Sequence, residues 1–342
     1  MGGDTTISTN FKAASRASLE ALINRRAGEV KIGERVAILY NENEIALSLH
    51  QSDANFVLLG IPEDIGVRAN GGVGGAHTAW TPALKALLNM QSTAICSGAD
   101  LLVLGAFDFS DWMKASLDED LDALRQRVAA IDETVAPLIQ LIVAAGKMPI
   151  VIGGGHNNAF PLLKGASLAK GMAINCINLD AHSDYRVMEG RHSGNGFRYA
   201  KDAGYLSRYS IVGLHRPYNS HAVLADIRKD ANLQCSFYED IFLNESLSFR
   251  QAVDSGLKHT AGSPVGIELD LDCIAGVLSS AATPCGITSL QARQYLQQCM
   301  SEAEVAYVHL TEGAVELRDG RSDGSTAKAL AYFIYDILSA RV

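Results

Sequence analysis

The sequence predicts an α/β fold, a three-layer αβα sandwich around a doubly wound, mainly parallel sheet, and three observations carry that reading. Short apolar, β-branched runs alternate with longer stretches of helical period from about residue 55 onward. Helical stretches long enough to act as crossovers lie between them, so each run is followed by a crossover, which favours parallel pairing. No Pro/Gly/Ser-rich linker, charge-run boundary or internal repeat interrupts the rhythm, so the alternation belongs to one domain.

In chain order, residues 1–50, with a helical pattern around Ala17–Arg25, read as an amino-terminal extension packed on the core, and residues 51–342 as the single domain. The expected strands are Asn55–Gly60, Asp100–Ala106, Met148–Gly153, Ala173–Leu179, Arg208–Gly213, Pro264–Leu269 and Ala303–Leu310. The expected helices are Leu117–Ala145, Tyr218–Asp230, Ser246–Thr260, Ser289–Met300 and Thr326–Ala340.

With 342 residues, 48% hydrophobic and 20% charged, the chain has the apolar content to offset chain entropy, which excludes disorder as its main theme. The net charge is −9 and the 29 Lys and Arg form no basic block, so counterion release has no source and nucleic acid is excluded as a partner. Six cysteines, at 96, 176, 235, 273, 285 and 299, form no C-x-x-C pair and no disulfide framework, as expected of a cytoplasmic protein. The first residues lack a basic segment followed by an apolar one, and no run reaches the ~18 apolar residues of a membrane span, so neither export nor a membrane is expected. Gly2 with Thr6 matches a myristoylation pattern by chance, since no polybasic patch supports it.

Ligands of open α/β sheets bind outside the carboxyl ends of the strands, which directs attention to the residues that follow each apolar run. Gly153-Gly154-Gly155-His156, Asp180-Ala181-His182-Ser183-Asp184, Asp270-Leu271-Asp272 and Thr311-Glu312-Gly313 occupy four such positions. In extended backbone Asp180, His182 and Asp184 point to one side, as do Asp270 and Asp272. A lone Asp there is ordinarily a cap and a lone His a hydrogen-bonded structural residue. So many carboxylates at one sheet edge, however, would repel one another and rise in pKa unless cations neutralise them. Two divalent ions are the economical answer, and an oxygen-rich donor set favours Mn²⁺, or Fe²⁺, over a thiolate-type zinc site. The glycines at 71–75 and 153–155 complete no phosphate-binding pattern and are read as permitting close backbone approach.

These motifs carry a resemblance. GGGH at 153–156, DAHSD at 180–184, the ELDLD run ending in Asp270 and Asp272, the HLTEGA segment around Glu312, and VRANGGVGGA at 67–76 are similar, in order, to the ureohydrolase family of arginases, agmatinases and formimidoylglutamases. The resemblance implies the arginase fold and two Mn²⁺ per chain. Asp180 and Asp270 would bridge, His156 and Asp184 would complete one ion, and His182 and Asp272 the other. It implies a proton-shuttling role for His192, in Arg191-His192-Ser193-Gly194-Asn195, with Asn195 contacting substrate. Glu312 would hold the amidine-like group, since a carboxylate can pair with a planar cation. A homo-oligomer acting on a small amidine or guanidine is implied as well.

Within the family, Gly155 before His156 and Arg186 two residues after Asp184 resemble formimidoylglutamases rather than arginases, whereas Cys-Ile-Ala-Gly at 273–276 departs from the family's usual continuation. Three readings follow: an N-formimidoyl-L-glutamate hydrolase releasing formamide, as in histidine degradation; an arginase- or agmatinase-like enzyme releasing urea; and a non-catalytic protein of the same fold. Retention of all six ligand positions weighs against the third. Arg186 separates the first two, because a permanently charged planar fork matches a carboxylate and mismatches the ammonium of arginine. Its competing role is a surface ion pair with Glu189.

Overall fold

The computed structural model describes residues 8–340. Nine strands form one sheet: β1 (Phe11–Ala13), β2 (Phe56–Gly60), β3 (Leu101–Phe107), β4 (Met148–Ile152), β5 (Ile174–Leu179), β6 (Leu206–Leu214), β7 (Leu233–Phe237), β8 (Val265–Asp270) and β9 (Val305–Thr311). Their order is β1-β3-β2-β4-β9-β8-β5-β6-β7. Every pair is parallel except β1 with β3. The chain leaves β4 in one half of the sheet and resumes at β5 in the other; β8 and β9 later fill the gap. The four strands whose ends carry the candidate ligands, β4, β9, β8 and β5, are therefore the contiguous centre of the sheet.

Every residue of β2, β4, β5, β8 and β9 is buried, because helices cover both faces. Alternate strand residues feed separate cores. Phe56, Leu58, Ile150, Ile267 and Leu269 pack with helices Trp80–Leu88, Phe249–His259, Ser289–Glu302 and Ser325–Ser339. Val57, Leu59, Val151, Cys176 and Ile211 pack with Leu121–Ala144, Ala159–Lys170 and His221–Lys229. Helix starts follow local chemistry: the Asp120 side chain accepts from Ala123 N, and Thr288 with Gln291 forms a reciprocal capping box.

All seven expected strands and all five expected helices are present, with ends shifted by a few residues. The two additional strands are edges: β1 is only three residues long, and β7 is mostly half-buried. The amino-terminal segment does more than pack on the sheet, since β1 hydrogen-bonds into it. The helix expected around Ala17–Arg25 spans only Arg16–Glu20. Gly2 and Thr6, of the myristoylation pattern, lie outside the described residues, among which no helix is long and apolar enough to cross a membrane.

Candidate metal centre

At the carboxyl edge of the central strands lies a cavity of about 410 Å³, lined by His182, Asp184, Asp270, Asp272 and Glu312 among others. His156 enters from the turn after β4, and Asp180 follows β5 directly. The expectation that Asp180, His182 and Asp184 converge through extended alternation does not hold. Asp184 has φ +44°, in the left-handed region, and Asp272 sits in a 3-10 turn, Leu271–Cys273. Glu312 is likewise left-handed at φ +63°. Strained non-glycine backbone of this kind persists where the surroundings over-determine it, and it clusters at sites.

The donor atoms fall into two overlapping groups, His156 with Asp180, Asp184 and Asp270, and Asp180 with His182 and Asp272. Nδ1 of His156 lies 2.8 Å from Asp184, 3.0 Å from Asp270 and 3.3 Å from Asp180, yet hydrogen-bonds none of them in acceptable geometry. Nδ1 of His182 is 3.1 Å from Asp272 and 3.6 Å from Asp180, and Oδ1 of Asp272 is buried without a partner. Buried polar atoms that face one another without bonding fit a cation between them.

The backbone aims the carboxylates. Asp180 accepts from His182 N at 2.7 Å and from Asn178 Nδ2 at 2.9 Å, Asp270 accepts from Asp272 N at 2.8 Å, and Glu312 accepts from His156 N at 2.9 Å.

Protonation follows from this crowding of negative charge. Burial, then the Asp180 charge, pushes Asp184 up to about 6. Burial, then Asp272, pushes Glu312 to about 8, and the same causes drive Asp270 far above the carboxylate range. Burial disfavours charge on His156 and His182, but the carboxylates around them push both rings up. Burial acts against the Asp180 carboxylate too, and those two protonated rings hold it low. The cluster thus carries more negative charge than side-chain cations balance, which is the condition divalent cations satisfy.

Of the other expected site residues, Glu312 and Arg186 line the cavity, while His192 and Asn195 do not. His192 is fully buried; its Nδ1 accepts from Gly194 N at 3.1 Å and its Nε2 faces Glu189 at 3.2 Å. Burial, then the Arg186 charge, holds its ring at about 4. Asn195 Oδ1 accepts from Arg191 Nη1 at 2.8 Å and from His192 N at 3.1 Å. The reason is Arg191, buried and bonded to Asp132 at 2.8 Å and to the Asn157 carbonyl at 2.8 Å, which pins the loop and turns both side chains inward. The neighbours Ser193 and Gly194 line the cavity instead.

Arg186 forms the surface ion pair with Glu189 and also lines the cavity. Its side chain is 50% exposed, donates to Glu189 at 2.8 Å and Asn70 at 2.6 Å, and lines the cavity. Sequence reasoning missed Asn70, Tyr218 and Ser280 as lining residues. Tyr218 stacks on His182 at 5.2 Å and follows β6, so the strand-end rule that found the ligands would have reached it had inspection extended past metal-ligand residue types.

Comparison with known proteins agrees with this geometry. A family model described as the arginase family matches residues 54–339. A curated formimidoylglutamase of Geobacillus thermodenitrificans is 28% identical over 291 residues, covering 82% of each chain. One of Rhodococcus opacus is 26% identical over 303 residues, 84% of this chain and 86% of that protein. The crystal structure of formimidoylglutamase from Bacillus subtilis superimposes with a TM-score of 0.74 at 16% identity, covering 93% of this chain and 94% of that one. A Trypanosoma cruzi formiminoglutamase solved with two Mn²⁺ gives 0.69 at 18% identity, over 92% and 98%. At these identities the structural likeness speaks to the fold.

Proposed function

The chain belongs to the arginase family, and from that premise we propose that it hydrolyses a linear amidine, N-formimidoyl-L-glutamate, to L-glutamate and formamide. The observation that carries the reading is one cavity lined by four of the six candidate metal donors, His182, Asp184, Asp270 and Asp272, with buried His156 and Asp180 clustered against them, and by buried Glu312 and half-exposed Arg186.

His156 and Asp184 would hold one divalent cation and His182 and Asp272 the other, with Asp180 and Asp270 shared; Asp180 already faces both imidazoles. The oxygen-rich set suits Mn²⁺, or Fe²⁺. A bound pair of such ions polarises the C–N centre and lowers the pKa of water. Glu312 presents a buried carboxylate to the planar amidinium and orients it. Arg186 receives the substrate's carboxylate: two of the five N–H donors of its fork are engaged by Asn70 and Glu189, and the others remain for a ligand. Buried, engaged His192 and Asn195 act on the loop rather than on substrate.

The urea-releasing reading would place a cationic ammonium or a bare chain end against Arg186, a mismatch. We read residues 51–342 as one catalytic unit with an edge strand donated by the segment before it. Six free cysteines support a reducing compartment such as the cytoplasm. The family likeness supports a homo-oligomer. Protein reconstituted with Mn²⁺ and assayed for formamide, urea and ammonia across formimidoylglutamate, arginine and agmatine tests the reading; urea as the main product would reject it.

A further inference from the structure

Behind the metal centre three ionisable side chains, Glu268, His309 and His156, are fully buried in mutual contact. Glu268 lies in β8 two residues before Asp270, and the parallel register sets it beside His309 of β9. Its Oε1 accepts from the Tyr307 hydroxyl at 2.7 Å. Its Oε2 lies 2.6 Å from Nδ1 of His309 and 3.3 Å from Nε2 of His156. A carboxylate in the interior of a sheet is costly to desolvate, and an apolar side chain would fill the space without that cost, as Val265, Ile267 and Leu269 do on the opposite face of the same strand.

The geometry of His156 supplies a reason. Its two ring nitrogens face different worlds: Nε2 faces Glu268, while Nδ1 faces Asp180, Asp184 and Asp270 and makes no hydrogen bond. A cation held at Nδ1 requires the neutral imidazole in place of the protonated ring of the metal-free cluster; its one proton then stays on Nε2, beside the Glu268 carboxylate, and the Nδ1 lone pair faces the cation.

Resting on the two-cation reading above, we infer that Glu268, held by Tyr307 and His309, is a positioning residue that fixes the His156 ring with Nδ1 turned to the metal centre. The pair of β9 residues completes the device. Tyr307 occupies one carboxylate oxygen and His309 the other, so the carboxylate plane cannot rotate away from His156. His182 has no equivalent, being 27% exposed and stacked on Tyr218, so the device acts on one of the two donor groups only.

The test is Mn²⁺ titration by calorimetry of the full chain and of Glu268→Gln, an isosteric change that removes the anionic acceptor. The parent binds two ions. Glu268→Gln keeps parent affinity at the His182–Asp272 group and loses about 10- to 100-fold at the His156 group, the usual effect of removing a partner of a metal ligand. Its far-ultraviolet circular dichroism is unchanged. Should Glu268→Gln not fold, Tyr307→Phe, which keeps the packing and removes one hydrogen bond, weakens the same step and spares the other. Equal affinities at both groups in the folded variant overturn the inference, as does a parallel loss at both, which would mark a merely structural role. A parent that binds fewer than two Mn²⁺ overturns the two-cation reading itself.

Discussion

Replacing Arg186 by methionine removes the charge and fork at the exposed end of the cavity while keeping a side chain of similar length. Truncating one partner of a desolvated charge pair costs ~2–5 kcal/mol, whereas a fully exposed pair is worth ~0.2–1 kcal/mol. Arg186 stands between these limits, 50% exposed and sharing its charge with Glu189 at 2.8 Å. The expected loss is therefore ~1–3 kcal/mol, or about 5- to 150-fold in kcat/KM for formimidoylglutamate. It should fall mainly on KM, because the contact is remote from the reacting carbon. Arg186→Lys should lose less, keeping the charge without the planar fork. Steady-state kinetics on Mn²⁺-loaded protein, with metal content measured alongside, decide it. A methionine variant within twofold of the parent, or one that loses metal, would refute the carboxylate-reading role.

Other changes test the centre behind it. Asp180→Ala should abolish both metal occupancy and turnover, and Asp270→Ala should do the same; elemental analysis reads the first, and the Mn²⁺-dependent rise in Tm expected of the parent should be missing in both variants. Glu312→Gln keeps an acceptor for His156 N but removes the carboxyl that must ionise to pair with a cationic amidine, so kcat/KM should drop by the equivalent of ~2–5 kcal/mol with two ions still bound. His192→Asn should leave kcat within about threefold, not the ~10²–10⁴-fold loss of a general acid/base. Its effect should appear in stability instead. The folded ring titrates at about 4 against 6.5 when unfolded, so the contribution of His192 to stability is fully present above pH 6.5 and is lost as pH falls from 6.5 toward 4. That loss amounts to ~3 kcal/mol, and denaturant melts of His192→Asn across the window should show a correspondingly flatter slope.

What the sequence made legible follows from where its signals are local. Strands β2, β4, β5, β8 and β9 are buried on both faces, so each is a predominantly apolar run with few polar interruptions, and the residue types at the ends of four of them announced the metal centre before any geometry was available. The edges were invisible for the opposite reason. Phe11–Ala13 is too short for a period, and Leu233–Phe237, a mostly half-buried edge strand, mixes Gln, Cys and Ser with its apolar residues. His192 could not be placed from sequence because its orientation depends on Arg191, whose partners Asp132 and Asn157 come from 59 and 34 residues away. The convergence of Asp180 with Asp184 was expected for the wrong reason: a left-handed residue, not strand alternation, brings them to His156. Glu268 was in view within the ELDLD run, but its partners lie on β9 and only the register joins them.

On the proposed function, six metal donors, Glu312 and Arg186 together make a two-cation hydrolase of a carboxylate-bearing amidine. The most direct measurement is product analysis of Mn²⁺-reconstituted protein carrying a quantified metal load, offered formimidoylglutamate, arginine and agmatine in parallel. Two ions per chain, with formamide and glutamate released in equal amounts and no comparable urea from the guanidines, is the predicted result. Faster urea release from arginine or agmatine, or full activity in protein stripped of metal, would contradict it.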